Sequence, residues 1–318
     1  MQSGDIQAAQ PLSPPPASVT TPDFPQLTTR LFRGPNGLRA LWRLLIFVAI
    51  VFGLRLAVNR LLHVGGGVKE FTARAVLLQD GVAFLIVLAA SAIMGAFEKR
   101  SLAVYGLPLR EAFRVRFFEG ILWGLVAECA TILTLYLTGN VTFHGLDLHG
   151  TAALYFGAMW ATAFLVVGFF EEMLFRGYPQ FTLASGIGFW PAAIVLSGLF
   201  WLGHMGNPGE TWVGGLATAL AALLFCVSLR LTGNLWFAIG LHAAWDWAET
   251  YFFGVPDSGM PANGHLLNTT LSGNKWMTGG TVGPEGSVVE LLMVSAVIGL
   301  LFLRFHRSSQ SQTVTSPG

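Results

Sequence analysis

Eight stretches of this chain are apolar for about as long as a lipid bilayer is thick, approximately over 41–62, 75–97, 117–138, 151–176 or beyond, 189–206, 211–231, 234–253 and 287–305. A hydrocarbon core about 30 Å deep takes roughly 20 residues of helix, and it offers no partner to a free backbone N–H or C=O, so such runs must be helical. Composition agrees. Of the 318 residues 53% are hydrophobic and only 11% charged, where a soluble domain carries about a quarter charged. The fold class is therefore all-α: a polytopic membrane protein of about eight transmembrane helices with a polar cavity inside the membrane. The first run, interrupted by Arg55 and Asn59, has the least sharply defined limits. No repeat or inverted repeat divides the runs into halves.

Eighteen Lys and Arg against 17 Asp and Glu leave a formal charge of +1. That gives no field to gather nucleic acid, and no nucleic-acid-binding module is present, so that partner class is set aside. Cys129 and Cys226 lie inside apolar runs, where a free cysteine behaves as a small hydrophobe. The opening residues, MQSGDIQAAQPLSPPPASVTTPDFPQ, lack the basic start and apolar core of a secretory signal. Their Pro and Ser content predicts a disordered cytoplasmic tail over 1–38. After it come the N-terminal helices (39–140), a core of helices (150–253), a Gly-, Asn- and Thr-rich exterior loop (254–286), a last helix (287–306) and a C-terminal tail (307–318).

Loop charge predicts sidedness. The connection after the second run holds Lys99, Arg100, Arg110, Arg114 and Arg116, whereas GNVTFHGLDLHG after the third holds no Lys or Arg. Positive loops stay in the cytoplasm, so the first connection, the basic flank at Arg30, Arg33, Arg39 and Arg43, and Arg304 and Arg307 all fall on that side. Both termini are then cytoplasmic, as an even number of spans requires. A smaller cluster, Arg60, Lys69 and Arg74, lies on the other side. Abundant Arg, Ala and Gly fit a bacterial inner membrane.

The charges inside the runs carry the functional information, because an ionisable group in a span costs several kcal/mol unless it is paired or wetted. The fourth run ends in GFFEEMLFRG. Glu172 and Arg176 are one helical turn apart with the acid first, the favourable order for an ion pair. Glu171 is rotated about 100° from Glu172 and needs another partner. His204, in SGLFWLGHMGNP, lies about as far beyond the turn near Ser185–Gly188 as Glu171 lies before it, provided the helix continues past Gly177 and Pro179. In GLHAAWDWAET, His242 and Asp246 are four apart on one helix face. Three helices thus offer carboxylates and imidazoles to one cavity. Asp80, Glu128 and Glu290 have no visible partner and are assigned structural or water-contact roles.

In chain order these residues spell EEMLFR, FWLGH and HAAWD, which fit EExxxR, FxxxH and HxxxN/D. The set resembles the type II CAAX prenyl endopeptidase and bacteriocin-processing family of intramembrane proteases, over roughly residues 150–250. Asp246 stands where the eukaryotic prenyl-processing branch has Asn; Asp is found there among bacterial branches. The resemblance implies eight helices, a cavity opening toward the cytosol, and hydrolysis of a peptide bond of a membrane-associated or prenylated substrate. It also implies that Glu171 and His204 activate water, that His242 and Asp246 face the scissile carbonyl, and that Glu172 and Arg176 hold the helices. Glu171, His204 and His242 are in addition a ligand set of the kind that binds a hydrolytic zinc. Two other classes stay open: a catalytically silent scaffold of the same fold, and an ion-coupled transporter using the acids and imidazoles as a relay.

Overall fold

The computed structural model describes residues 32–34, 37–62, 71–261 and 263–314. Every predicted apolar run is helical: α1 (Ala40–Leu62), α2 (Ala73–Glu98), α3 (Val115–Leu137), α4 (Gly150–Phe175), α5 (Tyr178–Ile187), α6 (Phe189–His204), α7 (Trp212–Thr232), α8 (Trp236–Trp247) and α10 (Val288–Val314), with a short α9 (Lys275–Thr278) before the last. Six of these are long and apolar enough to cross a membrane, counting α4 and α5 as one; α6 is apolar but shorter. Leu41, Phe52, Leu56 and Leu61 on α1 and Leu78 and Leu85 on α2 are exposed, as side chains that meet lipid should be. The chain is an all-α polytopic membrane protein. Arg33–Gly34 pairs antiparallel to Gly37–Leu38. Most of the expected N-terminal tail lies outside the described residues. α10 runs on to Val314, past the expected end of its span at 306.

α4 does not continue straight. It stops at Phe175, and α5 starts anew with Gly177 as its N-cap and Pro179 in its first turn, because proline lacks the N–H that an unbroken helix needs and suits a first turn. Gly177 permits the bend: a Cβ there would stand 2.5 Å from the Met173 carbonyl oxygen. The condition on which the matched depth of Glu171 and His204 rested, a helix continuing past Gly177 and Pro179, is therefore not met as one unbroken helix. Glu171 and Glu172 sit in the last turns of α4, just before the break.

α8 is the innermost helix. Every residue from Trp236 to Asp246 is buried, and α3, α4 and α7 pack around it. Glycines make the closest of these approaches. A Cβ on Gly120 or Gly124 of α3 would meet the carbonyl oxygens of Phe237 and Leu241 at 2.1 and 2.3 Å, and one on Gly240 would meet that of Phe117 at 2.2 Å. Without a hydrophobic drive between helices in lipid, such backbone approach supplies much of the packing. It also keeps lipid away from α8, which is how a helix carrying His242 and Asp246 is accommodated.

After α8 the chain makes a π-helical turn (Ala248–Phe253) and enters the segment expected to be a plain loop. It is built instead. Leu267–Leu271 pairs antiparallel with Val141–Leu146 from the α3–α4 connection, with Val141 opposite Leu271, and the segment folds back so that Gly259 N–H bonds the Val282 carbonyl at 2.7 Å.

At the other end of the bundle, Glu98 closing α2 accepts from Arg43 of α1, from Tyr105 and from Tyr178 of α5. Carboxylate, guanidinium and two phenols bind three helices there.

Candidate active site

A cavity of about 530 Å³ lies among α2, α4, α6, α7, α8, α10 and the segment after α8. Glu171, His204, His242 and Asp246 all line it. Three chain-distant helices therefore bring together the four residues that the motifs singled out.

The centre of the arrangement is His242. Its Nδ1 lies 3.1 Å from Glu172 Oε1, and the same oxygen accepts from Arg176 Nη1 at 3.1 Å. A carboxylate only accepts, so Nδ1 carries the proton in this bond and Nε2 is the atom turned elsewhere. Nε2 faces Glu171 Oε2 at 3.6 Å and Asp246 Oδ2 at 3.5 Å. Those separations are too long for good hydrogen bonds and leave the three groups in close but unbonded contact. The imidazole is also stacked on Phe225, ring centroids 4.7 Å apart and planes 17° from parallel. Bonded on one edge and stacked on one face, the ring is held in a single orientation.

Glu172 and Arg176 form the expected pair, and both are fully buried. The guanidinium is surrounded by rings, 4.7 Å from the centroid of Phe200, 5.1 Å from that of Phe225 and 5.7 Å from that of Phe175, so cation–π attraction supplements the ion pair. The pair does more than brace helices, because Glu172 also fixes His242. Spacing along one helix gave no sign of that contact, since the partner lies 70 residues away.

Glu171 departs from expectation. Its imidazole neighbour is His242 and not His204, although both line the cavity. His204 Nδ1 lies 2.8 Å from the Phe200 carbonyl oxygen, and its ring stacks on Phe200 at 4.4 Å. A carbonyl cannot donate, so Nδ1 holds a proton in this bond and Nε2 is the ring atom left to meet the cavity. The structure does not gather the suggested zinc ligands. Among the described residues no group of three His, Cys, Asp or Glu side chains is disposed to hold a metal ion.

Several wall residues escaped the sequence reading. Asp257, Ser258 and Glu285 come from the segment after α8, and Asp80 and Glu290, expected to be structural or to meet water, also line the cavity. A carboxylate in a Gly-rich loop carries no penalty visible in sequence, so nothing distinguished Asp257 or Glu285. Burial holds the Asp257 carboxyl well above the usual range, helped by Glu285 beside it.

The cavity's place in the bundle matters for sidedness. It is walled by the start of α2 (Val76, Gln79, Asp80), the end of α6 (Gly203, His204), the start of α7 (Ala217, Thr218) and the start of α10 (Glu290). The basic connection follows the other end of α2, and Asp80 and Glu98 are 18 residues apart, about 27 Å along the helix. These wall residues lie away from the end of α2 that carries the basic connection.

Residues 153–248 match the family described as type II CAAX prenyl endopeptidase Rce1-like, which bears out the resemblance drawn from the three motifs. The matched residues hold Glu171, Glu172, Arg176, His204, His242 and Asp246 and stop before the segment that supplies Asp257 and Glu285. No curated protein matches the chain.

Proposed function

We propose that this chain, Rce1-like over its central helices, is an intramembrane endopeptidase that hydrolyses a peptide bond of a membrane-associated peptide or protein. The observation that carries the reading is the meeting of Glu171, His204, His242 and Asp246 on the wall of one cavity of about 530 Å³, with Glu171 and Asp246 close to His242 Nε2 at 3.6 and 3.5 Å. The cavity beside them has the size and polarity to take a water or a carbonyl oxygen. Glu171, on the cavity wall, acts as the base. It removes a proton from water as the oxygen attacks the scissile carbonyl. His204 orients that water through Nε2. The C=O bond opens to an oxyanion, which accepts from Nε2–H of the protonated His242, held in place by Glu172. As the intermediate collapses, the C–N bond breaks, and the proton on Glu171 passes to the leaving amine. Asp246, on the Nε2 side, sets the position and charge balance of His242. No step is routed through a metal, because the donors do not fit one.

For sidedness we take the denser set of basic residues as cytoplasmic, with both termini on that side. The cavity then meets substrate from the opposite face of the membrane. Cysteine placed at exposed Lys275, in a background lacking Cys129 and Cys226, should react with an impermeant maleimide on intact cells, and cysteine at exposed Arg110 should not. The reverse pattern would turn the cavity to the cytosol. The chemistry is tested by His204→Ala in liposomes with a panel of membrane-anchored peptides. Loss of cleavage with retained folding supports the roles above, and undiminished cleavage removes His204 from them.

A further inference from the structure

The connection between α2 and α3, at the end of α2 away from the cavity, has two distinct sides. α2 and α3 are 26 and 23 residues long, about 39 and 35 Å of helix. Both exceed a hydrocarbon core about 30 Å deep, which sets the connection joining them at the level of the lipid headgroups. Two short 3₁₀ turns, Leu102–Tyr105 and Leu109–Glu111, shape it. Its inner side is packed: Tyr105, Gly106 and Leu107 are buried. The Gly106 carbonyl accepts from Leu235 N–H at 2.8 Å, and the Pro108 carbonyl accepts from Trp236 Nε1–H at 3.1 Å. Leu235 and Trp236 begin α8, so the connection holds the start of the helix that carries His242 and Asp246.

The outer side mixes apolar and basic groups. Leu109, outside any span, is 83% exposed, and the neighbouring Arg110 side chain is 86% exposed. Val104 and Phe113 are exposed as well, as are Lys99, Arg100 and Arg114. Against these four cations stands one acid, Glu111, which reaches Arg110 only at 3.9 Å. Among the described residues the other three form no ion pair. Phe113 adds an independent sign of a fixed shape. Its φ is +52°, an outlier for a bulky side chain, and such strain persists only where the surroundings over-determine it. The ring lies 5.0, 6.3 and 5.2 Å from those of Phe117, Phe169 and Trp236. The connection therefore presents a set pattern of cations and apolar groups, tied at its back to α8 and α4.

We propose that the outer side of this connection is a docking surface for acidic phospholipids of its leaflet, and that lipid bound there steadies the start of α8. Val104, Leu109 and Phe113 enter the border of the acyl chains, while Lys99, Arg100, Arg110 and Arg114 meet phosphate headgroups. Charge and depth select this occupant. Guanidinium forks match phosphate oxygens, and a basic segment beside a span is drawn to an acidic leaflet. A soluble acidic protein would satisfy the cations and leave Leu109 and Phe113 without hydrocarbon to enter. Lipid binding needs no turnover, so the inference stands apart from the protease reading.

The test uses the full chain in nanodiscs of phosphatidylcholine, with and without added phosphatidylglycerol. Phosphatidylglycerol should raise Tm by several degrees and slow amide exchange at Leu235. Each arginine near an acidic surface is worth about fivefold in lipid affinity, so the double variant Arg110→Gln/Arg114→Gln should lose more than half of that gain. Arg60→Gln/Arg74→Gln, at the other ends of α1 and α2, should keep it. The gain is read within each variant, so any loss of stability from the substitutions themselves cancels. Inorganic phosphate added to phosphatidylcholine discs should not replace the lipid. A bimane label on Leu109→Cys, in a background lacking Cys129 and Cys226, should be quenched by nitroxide lipid and not by iodide. A full gain in Arg110→Gln/Arg114→Gln overturns the proposal, as does equal loss in both double variants, an equal gain from free phosphate, or quenching by iodide alone. Unchanged exchange at Leu235 overturns the link to α8.

Discussion

Gly240→Ala is a one-methyl change two residues before His242 whose effect follows from distances. The added Cβ would lie 2.2 Å from the Phe117 carbonyl oxygen and 3.1 Å from the Ile121 nitrogen. Both obstacles are backbone, so no side chain can rotate away. A carbon meets a carbonyl oxygen comfortably at about 3.3 Å, so α3 and α8 must part by about 1 Å. Overpacking of this kind destabilises by about 1–3 kcal/mol, or several degrees in Tm. The functional loss should be larger in proportion. α8 carries His242 and Asp246, α4 carries Glu171, and a displacement of about 1 Å in a reacting group costs about 10²-fold in rate. The assay is cleavage of a membrane-anchored peptide in liposomes, alongside thermal unfolding in the same lipid. Gly198→Ala on α6 is the control: a Cβ there meets nothing within 4 Å, so it should be neutral or stabilising by up to about 1 kcal/mol. If Gly240→Ala is as active and as stable as wild type, the packing argument and the placement of the site on α8 both fail.

Glu172→Gln should abolish cleavage and lower Tm, because it strands the buried Arg176 guanidinium at a cost of about 3–5 kcal/mol. Adding Arg176→Met should recover stability without recovering cleavage, since a neutral amide at 172 can accept from Nδ1 but no longer balances the charge of the protonated His242, and recovery of both would assign the pair to helix bracing alone. Asp257 titrates above the usual carboxylate range because of burial, with Glu285 adding to it. The folded state therefore holds this proton more tightly than the unfolded chain, and the associated stability is present at acid pH and lost as pH rises past about 4. Asp257→Asn should thus match wild type at pH 4 and exceed it increasingly toward pH 8 in a Tm series, and a deficit at every pH would contradict this. Since Glu171, His204 and His242 are not gathered as a ligand set, cleavage should survive exhaustive chelation with zinc below one per chain by elemental analysis. Loss on chelation with recovery on adding zinc would reverse that reading.

The membrane class and the helices were legible because bilayer thickness imposes one length on every span, and only the break at Pro179 and the extension of α10 altered their limits. Glu171, His204, His242 and Asp246 were legible for a related reason: a charge in an apolar run is conspicuous. Glu249 met the same criterion, inside the 234–253 run, and was overlooked. The second role of Glu172 was hidden because His242 approaches it from another helix, and spacing reports only contacts within one helix. Asp257 and Glu285 lie in a polar segment where acids are unremarkable, and only its fold over the cavity makes them part of the site. Sidedness shows a different limit. Loop charges and family resemblance each gave an answer, and the question of which way the cavity opens arose only when its wall was located away from the basic connection.

The central claim is that Glu171 removes the proton from the attacking water. The measurement that tests it most directly is the initial rate of cleavage of one membrane-anchored peptide, with products identified by mass, for wild type and Glu171→Gln protein in the same liposomes. A group acting as general base is worth roughly 10²–10⁴ in rate. The account predicts a loss in that range or beyond, with unchanged Tm and unchanged peptide binding. Glu171→Gln cleaving within a few-fold of wild type would contradict it.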